Sequence, residues 1–211
     1  MIYLFSQTKK EGVTSLPMIK SVKVAKSIDF STCDTLLFTS KNCVDMVHSL
    51  DKRWREYPVI SIGEATTQKI KELGGSVLFS SKGYGESLVQ DITQNFSHLK
   101  ILFLRPRVVA TDIRSQLQTL GVTIDEQIIY ETQCVHYDTK KKPPKGSIII
   151  FTSPSTVKCF FDNFEWDESY RAVAIGRVTA NALPKSVNYV ISQKPLIDAC
   201  IKEAQNLEKN S

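Results

Sequence analysis

The chain has 211 residues, 42% of them hydrophobic and 23% charged, with a net charge of +5 at pH 7. Such a composition excludes collagen-like, coiled-coil and largely disordered classes. The length suits one large domain or two small ones, and the mild positive balance favours an anionic small molecule without demanding nucleic acid.

In chain order, Ile2 to Phe5 reads as a first strand, and Lys9-Lys10 interrupts the N-terminus before any signal-peptide core develops. Leu36-Leu37-Phe38 is an apolar strand running into Thr39-Ser40, with Ser40 a candidate N-cap for the helix that follows. Ile60-Ser61-Ile62 is a second strand ending in Gly63, and Glu64 to Leu73 is a helix stopped by Gly74-Gly75. Gly83-Tyr84-Gly85 enters a helix from Glu86 to Phe96 but lacks the third glycine of a dinucleotide turn. Lys100 to Leu104 is a further buried strand, Val108 to Leu120 an amphipathic helix closed by Gly121, and Val122 to Tyr130 an extended segment. Lys140-Lys141-Lys142 with Lys145 brackets Pro143-Pro144 and reads as a solvated connection. Ile149-Ile150-Phe151-Thr152-Ser153 is followed by Pro154, a proline at the first helical position behind a good cap. Val173-Ala174-Ile175 ends in Gly176, and Arg177 to Leu183 is a helix stopped by Pro184.

Two of these blocks are copies. Leu36 to Ser40 recurs as Ile149 to Ser153, and Ile60 to Gly63 recurs as Val173 to Gly176, at one common offset. At that offset Val44 meets Val157, Tyr57 meets Tyr170 and Thr66 meets Thr179, so eight of 36 aligned positions are identical, enough to mark an internal repeat. Strands alternating with helices predict α/β architecture with parallel sheets. Two related halves predict two domains facing each other across a cleft. Because ligands of open α/β sheets bind beyond the carboxyl ends of the strands, the repeated Thr-Ser and Gly turns are expected to face the cleft.

Helix N-termini offer unpaired N–H groups and partial positive charge to carboxylate or phosphate, and four come from the repeats. Hydroxyls of Thr39, Ser40, Thr66, Thr152, Ser153 and Thr179 can add hydrogen bonds; capping their own helices is the plainer role for each. The five cysteines, Cys33, Cys43, Cys134, Cys159 and Cys200, lack metal or redox spacing and are expected to be reduced thiols filling apolar space. His48, His98 and His136 have no ligand partners at metal spacing, so no metal site is expected. Neither a phosphate-binding lysine loop nor a serine elbow occurs. An enzyme built this way holds its substrate and uses at most one proton-transfer group. Tyr130, at the end of Ile128-Ile129-Tyr130, is the candidate, since a phenol stays protonated at neutral pH. A half-buried structural tyrosine is the competing reading, and Glu131 is expected to point the other way into solvent.

The series Leu37-Phe38-Thr39-Ser40 with Val44, Ser61-Ile62-Gly63 with Thr66, Gly85-Glu86-Ser87-Leu88, Ile101 to Leu104, Ile129-Tyr130-Glu131-Thr132, Phe151 to Ser155, and Ala174-Ile175-Gly176 with Thr179 resembles the uroporphyrinogen-III synthase family. No single motif is specific; their order and spacing are. The resemblance implies two similar parallel-sheet α/β domains joined by a two-stranded ladder, with the active site in the interdomain cleft. The first domain would comprise residues 1 to 20 plus 133 to 211, the second residues 21 to 132. It implies a cofactor-free enzyme that closes hydroxymethylbilane to uroporphyrinogen III with inversion of ring D and loss of water. Tyr130 matches the functional tyrosine; Ser153, Thr179 and Thr66 match substrate-contacting positions; Arg171 replaces a lysine before the second Ile-Gly turn. Thr39, Ser40, Gly63, Thr152 and Gly176 join the expected substrate-binding set, and Arg105 is added as a cation at a strand end. Departures are a shortened segment from Met1 to Lys20, Val178 in place of a second threonine, Pro106 where glycine is common, and Asn42 where some relatives carry arginine. The expected partner is the polycarboxylate substrate alone, with neither nucleic acid nor membrane, for a cytoplasmic monomer. The alternative is a non-catalytic two-domain module that clamps a polyanionic tetrapyrrole.

Overall fold

The computed structural model describes residues 1–81, 83, 85–109 and 111–209. Tyr84 of the predicted Gly83-Tyr84-Gly85 turn, Ala110 of the predicted helix from Val108, and the last two residues, Asn210 and Ser211, lie outside the described residues. In chain order the strands and helices are β1 (Ile2–Leu4), β2 (Thr14–Ser15), β3 (Ile19–Lys23), β4 (Thr35–Phe38), α1 (Lys41–Leu50), β5 (Pro58–Ile62), α2 (Glu64–Glu72), β6 (Ser76–Ser81) and α3 (Glu86–Asn95). They continue as β7 (Ile101–Pro106), α4 (Ile113–Thr119), β8 (Ile124–Cys134), β9 (Ile148–Phe151), α5 (Pro154–Asn163), β10 (Arg171–Ala174), α6 (Arg177–Ala180), β11 (Tyr189–Ile191) and α7 (Ile197–Lys209). No helix among the described residues is long and apolar enough to cross a membrane.

The chain forms two compact units, one of Met1–Lys20 with Gln133–Ser211, the other of Ser21–Thr132. It passes between them within β3 and within β8, which are neighbours in one sheet. The first unit holds a sheet of order β11-β10-β9-β1-β2, parallel throughout. Its central strand β9 is the run Ile-Ile-Ile-Phe, buried on both faces as central strands of parallel sheets are. Alternate side chains serve opposite cores: Ile149 and Phe151 pack with Phe5, Phe160 and Ala174, whereas Ile148 and Ile150 pack with Leu4, Val173 and Cys200 of α7. Each such fully buried side chain contributes about 1.5–3 kcal/mol by leaving water.

The second unit has sheet order β3-β8-β7-β4-β5-β6, with parallel ladders from β8 through β6. Here Leu36, Phe38, Leu102 and Leu104 face α1, with Cys43, Val44 and Val47 and the side chain of Trp54. Leu37, Phe103 and Ile101 face α3 and α4 through Leu88, Ile92 and Leu117. His48 accepts a hydrogen bond from the Trp54 indole at 3.3 Å, a packing role.

Two helices are shorter than their sequences suggest. α4 starts after Asp112, whose carboxylate accepts the Ser115 amide at 3.1 Å, a cap that sets the helix start there and not at Val108. α6 is a single turn, because the Ala182 and Leu183 amides bond three residues back to Thr179 and Ala180 before Pro184. The expectation of five reduced thiols is also corrected. Cys134 at the end of β8 and Cys159 in α5 form a disulfide, with Cα atoms 5.2 Å apart, leaving Cys33, Cys43 and Cys200 free. Sequence spacing could not show it, since the two cysteines meet only when α5 packs beside the end of β8.

Candidate active site

In the second unit β4 delivers Thr39 and Ser40 at its carboxyl end. Ser40 is the N-cap of α1: its extended backbone turns the chain into the helix while its hydroxyl accepts the Cys43 amide at 3.2 Å. The Tyr130 side chain, from β8, is 5% exposed, and its hydroxyl lies 3.4 Å from that of Ser40. Burial pushes the Tyr130 phenol above its ordinary value, and its hydrogen bond with Ser40 opposes this. The phenol is therefore a neutral O–H donor at physiological pH. Thr39, Ser40 and Tyr130 share a cavity of about 220 Å³ with apolar walls from Ile62 and Phe103. Gly85 and Thr111 also line it and are not among the site residues expected from sequence, although Gly85, with φ 64° at the start of α3, opens the Gly85-Glu86-Ser87-Leu88 segment of the family series.

Gly63 and Thr66 open α2 on the next strand. Gly63 adopts φ 76°, a left-handed conformation that favours glycine, and donates to the Ser81 carbonyl at 3.0 Å. Thr66 is 5% exposed. It is the neighbouring Thr67 whose hydroxyl knits the turn, bonding Ser61 at 2.7 Å and Ser80 at 2.6 Å.

Arg105 occupies a strand end as expected, but its guanidinium is already engaged. It makes two 2.7 Å bonds to the Glu126 carboxylate and donates to the carbonyls of Pro106 and Arg107, each at 2.9 Å. Pairing with Arg105 holds the Glu126 carboxyl below its usual range. Arg105, Arg107 and Arg114 line a second cavity of about 390 Å³, which shares Phe103, Val109 and Thr111 with that of Tyr130. Glu131 is not free in solvent; its carboxylate takes the Arg107 guanidinium at 2.6 Å.

In the first unit the copied turn recurs. Ser153 caps α5 in a reciprocal capping box with Thr156, Pro154 sits in the first turn, and the Thr152 hydroxyl donates to the Phe5 carbonyl at 3.2 Å. Gly176 precedes α6 with φ −173°, an extended conformation open to any residue, and Thr179 is 3% exposed. With only one turn, α6 does not supply the fourth helix terminus counted from the repeats. Arg171 is a correction to the expected binding set. It opens β10, opposite Ile148 at the start of β9, so it lies at the amino edge of the sheet, where it donates to the Leu207 carbonyl at 2.7 Å.

Among the described residues, Cys134, Cys159 and Asp162 are the grouping with metal-ligand atoms within 4.8 Å of one another, and the disulfide occupies both thiols.

Two units of open α/β sheet, one of them discontinuous, with hydroxyl-bearing turns at the strands' carboxyl ends and a buried tyrosine beside one of them, define a two-domain α/β protein of the parallel-sheet class. The sequence profile of uroporphyrinogen-III synthase HemD matches residues 8–202. The chain belongs to the uroporphyrinogen-III synthase family, enzymes of tetrapyrrole biosynthesis. Its fold is similar to that of uroporphyrinogen-III synthetase from Helicobacter pylori, with a TM-score of 0.85 at 24% identity over 98% of each chain. A mutant uroporphyrinogen III synthase from Thermus thermophilus aligns with a TM-score of 0.57 at 15% identity, over 100% of this chain and 99% of that one. The wild-type Thermus protein aligns at 0.52 and 17%, over 99% and 98%. No curated protein sequence matches the chain.

Proposed function

We propose that this protein cyclises hydroxymethylbilane to uroporphyrinogen III, inverting ring D and releasing water. The observation that carries the reading is the buried Tyr130 hydroxyl beside Ser40, at the carboxyl edge of a sheet in a chain of this family. The pyrrole nitrogen of the ring that bears the hydroxymethyl group, at the end opposite ring D, pushes out the hydroxyl oxygen, and the Tyr130 proton leaves with it as water. Since that push is strong, a weak acid suffices, and a phenol kept neutral by burial always carries its proton.

The resulting azafulvene would close unaided onto the unflipped ring. The larger task is therefore to fold the chain and present ring D for attack through a spiro intermediate, which is positional control. The substrate's carboxylates suit the helix N-termini and hydroxyls of Ser40 and Ser153. Thr39, Gly63, Thr66, Thr152, Gly176 and Thr179 remain the proposed flanking contacts. On this reading the protein acts as a cytoplasmic monomer whose partner is the small-molecule substrate.

The test is to generate hydroxymethylbilane in situ, add the protein, oxidise the products and separate isomers I and III. Predominantly isomer III supports the synthase, and Tyr130→Phe should then cut its formation. Isomer I alone from folded protein would leave tetrapyrrole binding without turnover as the better account.

A further inference from the structure

β8 breaks the alternation that a pleated strand should obey. Ile124 packs beneath α3 and α4, and five residues on, Ile129 packs on the opposite face beneath α1, as a period of two requires. Tyr130 should return to the face of Ile124. Instead it joins Ile129 in the cluster beneath α1, where Ser40 stands. The ladder shows why: Arg105 lies opposite Ile128 but Pro106 lies opposite Tyr130, so Ile129 is an extra residue. This is a bulge, and a one-residue slip sends every following side chain to the other face.

Three features hold the bulge. Pro106 has no N–H to donate to the ladder at that point. Arg105 spans the shift, gripping the Glu126 carboxylate of β8 with Nε and one terminal nitrogen while the other terminal nitrogen takes the carbonyls of Pro106 and Arg107. Beyond it, the Arg107 amide donates to the Tyr130 carbonyl at 2.8 Å. We infer that Arg105 and Glu126 are a positioning pair: they fix the bulge that turns Tyr130 onto the Ser40 side, and Arg105 acts through Tyr130 instead of touching substrate. The inference rests on the reading of Tyr130 as proton donor.

Arg105→Lys and Glu126→Gln test it, beside the wild type and Tyr130→Phe. A lysine keeps the charge but cannot reach a carboxylate and two carbonyls at once, so kcat should fall about 10- to 100-fold with KM unchanged, the loss expected of a misplaced group. Amide exchange of Arg107 should quicken in both variants while melting stays cooperative. Arg105→Lys combined with Tyr130→Phe should be no slower than Tyr130→Phe alone. Full activity in Arg105→Lys, unchanged Arg107 exchange, or additive losses in the double variant would each overturn the assignment. Isomer I alone from the wild type would instead sink the synthase reading, and the exchange measurement would still decide whether the pair holds the bulge.

Discussion

The hydroxyl of Ser40 has two neighbours: its oxygen accepts the Cys43 amide at 3.2 Å and lies 3.4 Å from the Tyr130 hydroxyl. One side chain thus starts α1 and is the hydrogen-bonding partner of the proposed proton donor. Replacing Ser40 by alanine removes both contacts. The lost cap should cost about 0.5–2 kcal/mol in denaturant unfolding. The Tyr130 phenol, left with burial and the neighbouring Cys43 thiol, both of which raise it, should titrate still higher in an alkaline difference spectrum. An unchanged unfolding midpoint would show that the cap contributes nothing.

Gly63 and Gly176 are equivalent in the repeat but not in conformation. At φ 76°, Gly63→Ala forces a side chain into the left-handed region and should destabilise by about 1 kcal/mol or more. Gly176 is extended and a Cβ there meets nothing within 4 Å, so Gly176→Ala should stay within about 0.5 kcal/mol of the parent. Parallel urea titrations separate the two, and equal losses would contradict the asymmetry.

That pair also shows how far the sequence could be read. The strands β4 and β9 were legible because an uninterrupted apolar run buried on both faces is a local signal, and the caps Ser40 and Ser153 because serine before a helical pattern acts locally. The apolar run that ends at Tyr130 was legible, but its strand was not read to its full length, since β8 continues to Cys134. What escaped depends on contacts distant in sequence. The bulge at Ile129, the saturation of Arg105 by Glu126, the bond between Cys134 and Cys159, and the location of Arg171 at the amino edge all follow from register between elements. No window of neighbouring residues encodes that register. The glycine repeat misled in a related way, since identical residues stand in different backbone conformations.

The disulfide closes a loop of sequence separation 25 between β8 and α5. Reducing it should cost about 3 kcal/mol by freeing the unfolded chain, and should lower the urea midpoint in dithiothreitol. Cys134→Ser with Cys159→Ser should reproduce the loss without reductant. Identical midpoints in all three conditions would count against the cross-link.

Alkali should unfold this protein through its buried and half-buried acids. Burial raises the Cys33 thiol from 9.0 to about 11 and the Tyr170 phenol from 10.0 to about 12, and it raises Tyr130 as well. The unfolded chain therefore loses these protons first. Their contribution is complete below about pH 9 and fades as the pH climbs through the folded values, so thermal midpoints should hold from neutrality to pH 9 and drop beyond it. A midpoint flat to pH 11 would contradict the upward shift of these groups on folding.

The split of the first unit around the second has a consequence for the order of assembly during synthesis. The second unit is one contiguous stretch, Ser21–Thr132, complete while the ribosome still holds the remainder. The first unit cannot close then, because Ile2 of β1 must wait for Ile148 of β9. The opening strand, with only the short β2 beside it, lacks its central neighbour β9 for most of translation, and such distant pairing is intrinsically slow. Pulsed hydrogen exchange on the refolding chain should find β4 and β7 protected before β1 and β9, so that the first strand to be made is among the last to settle.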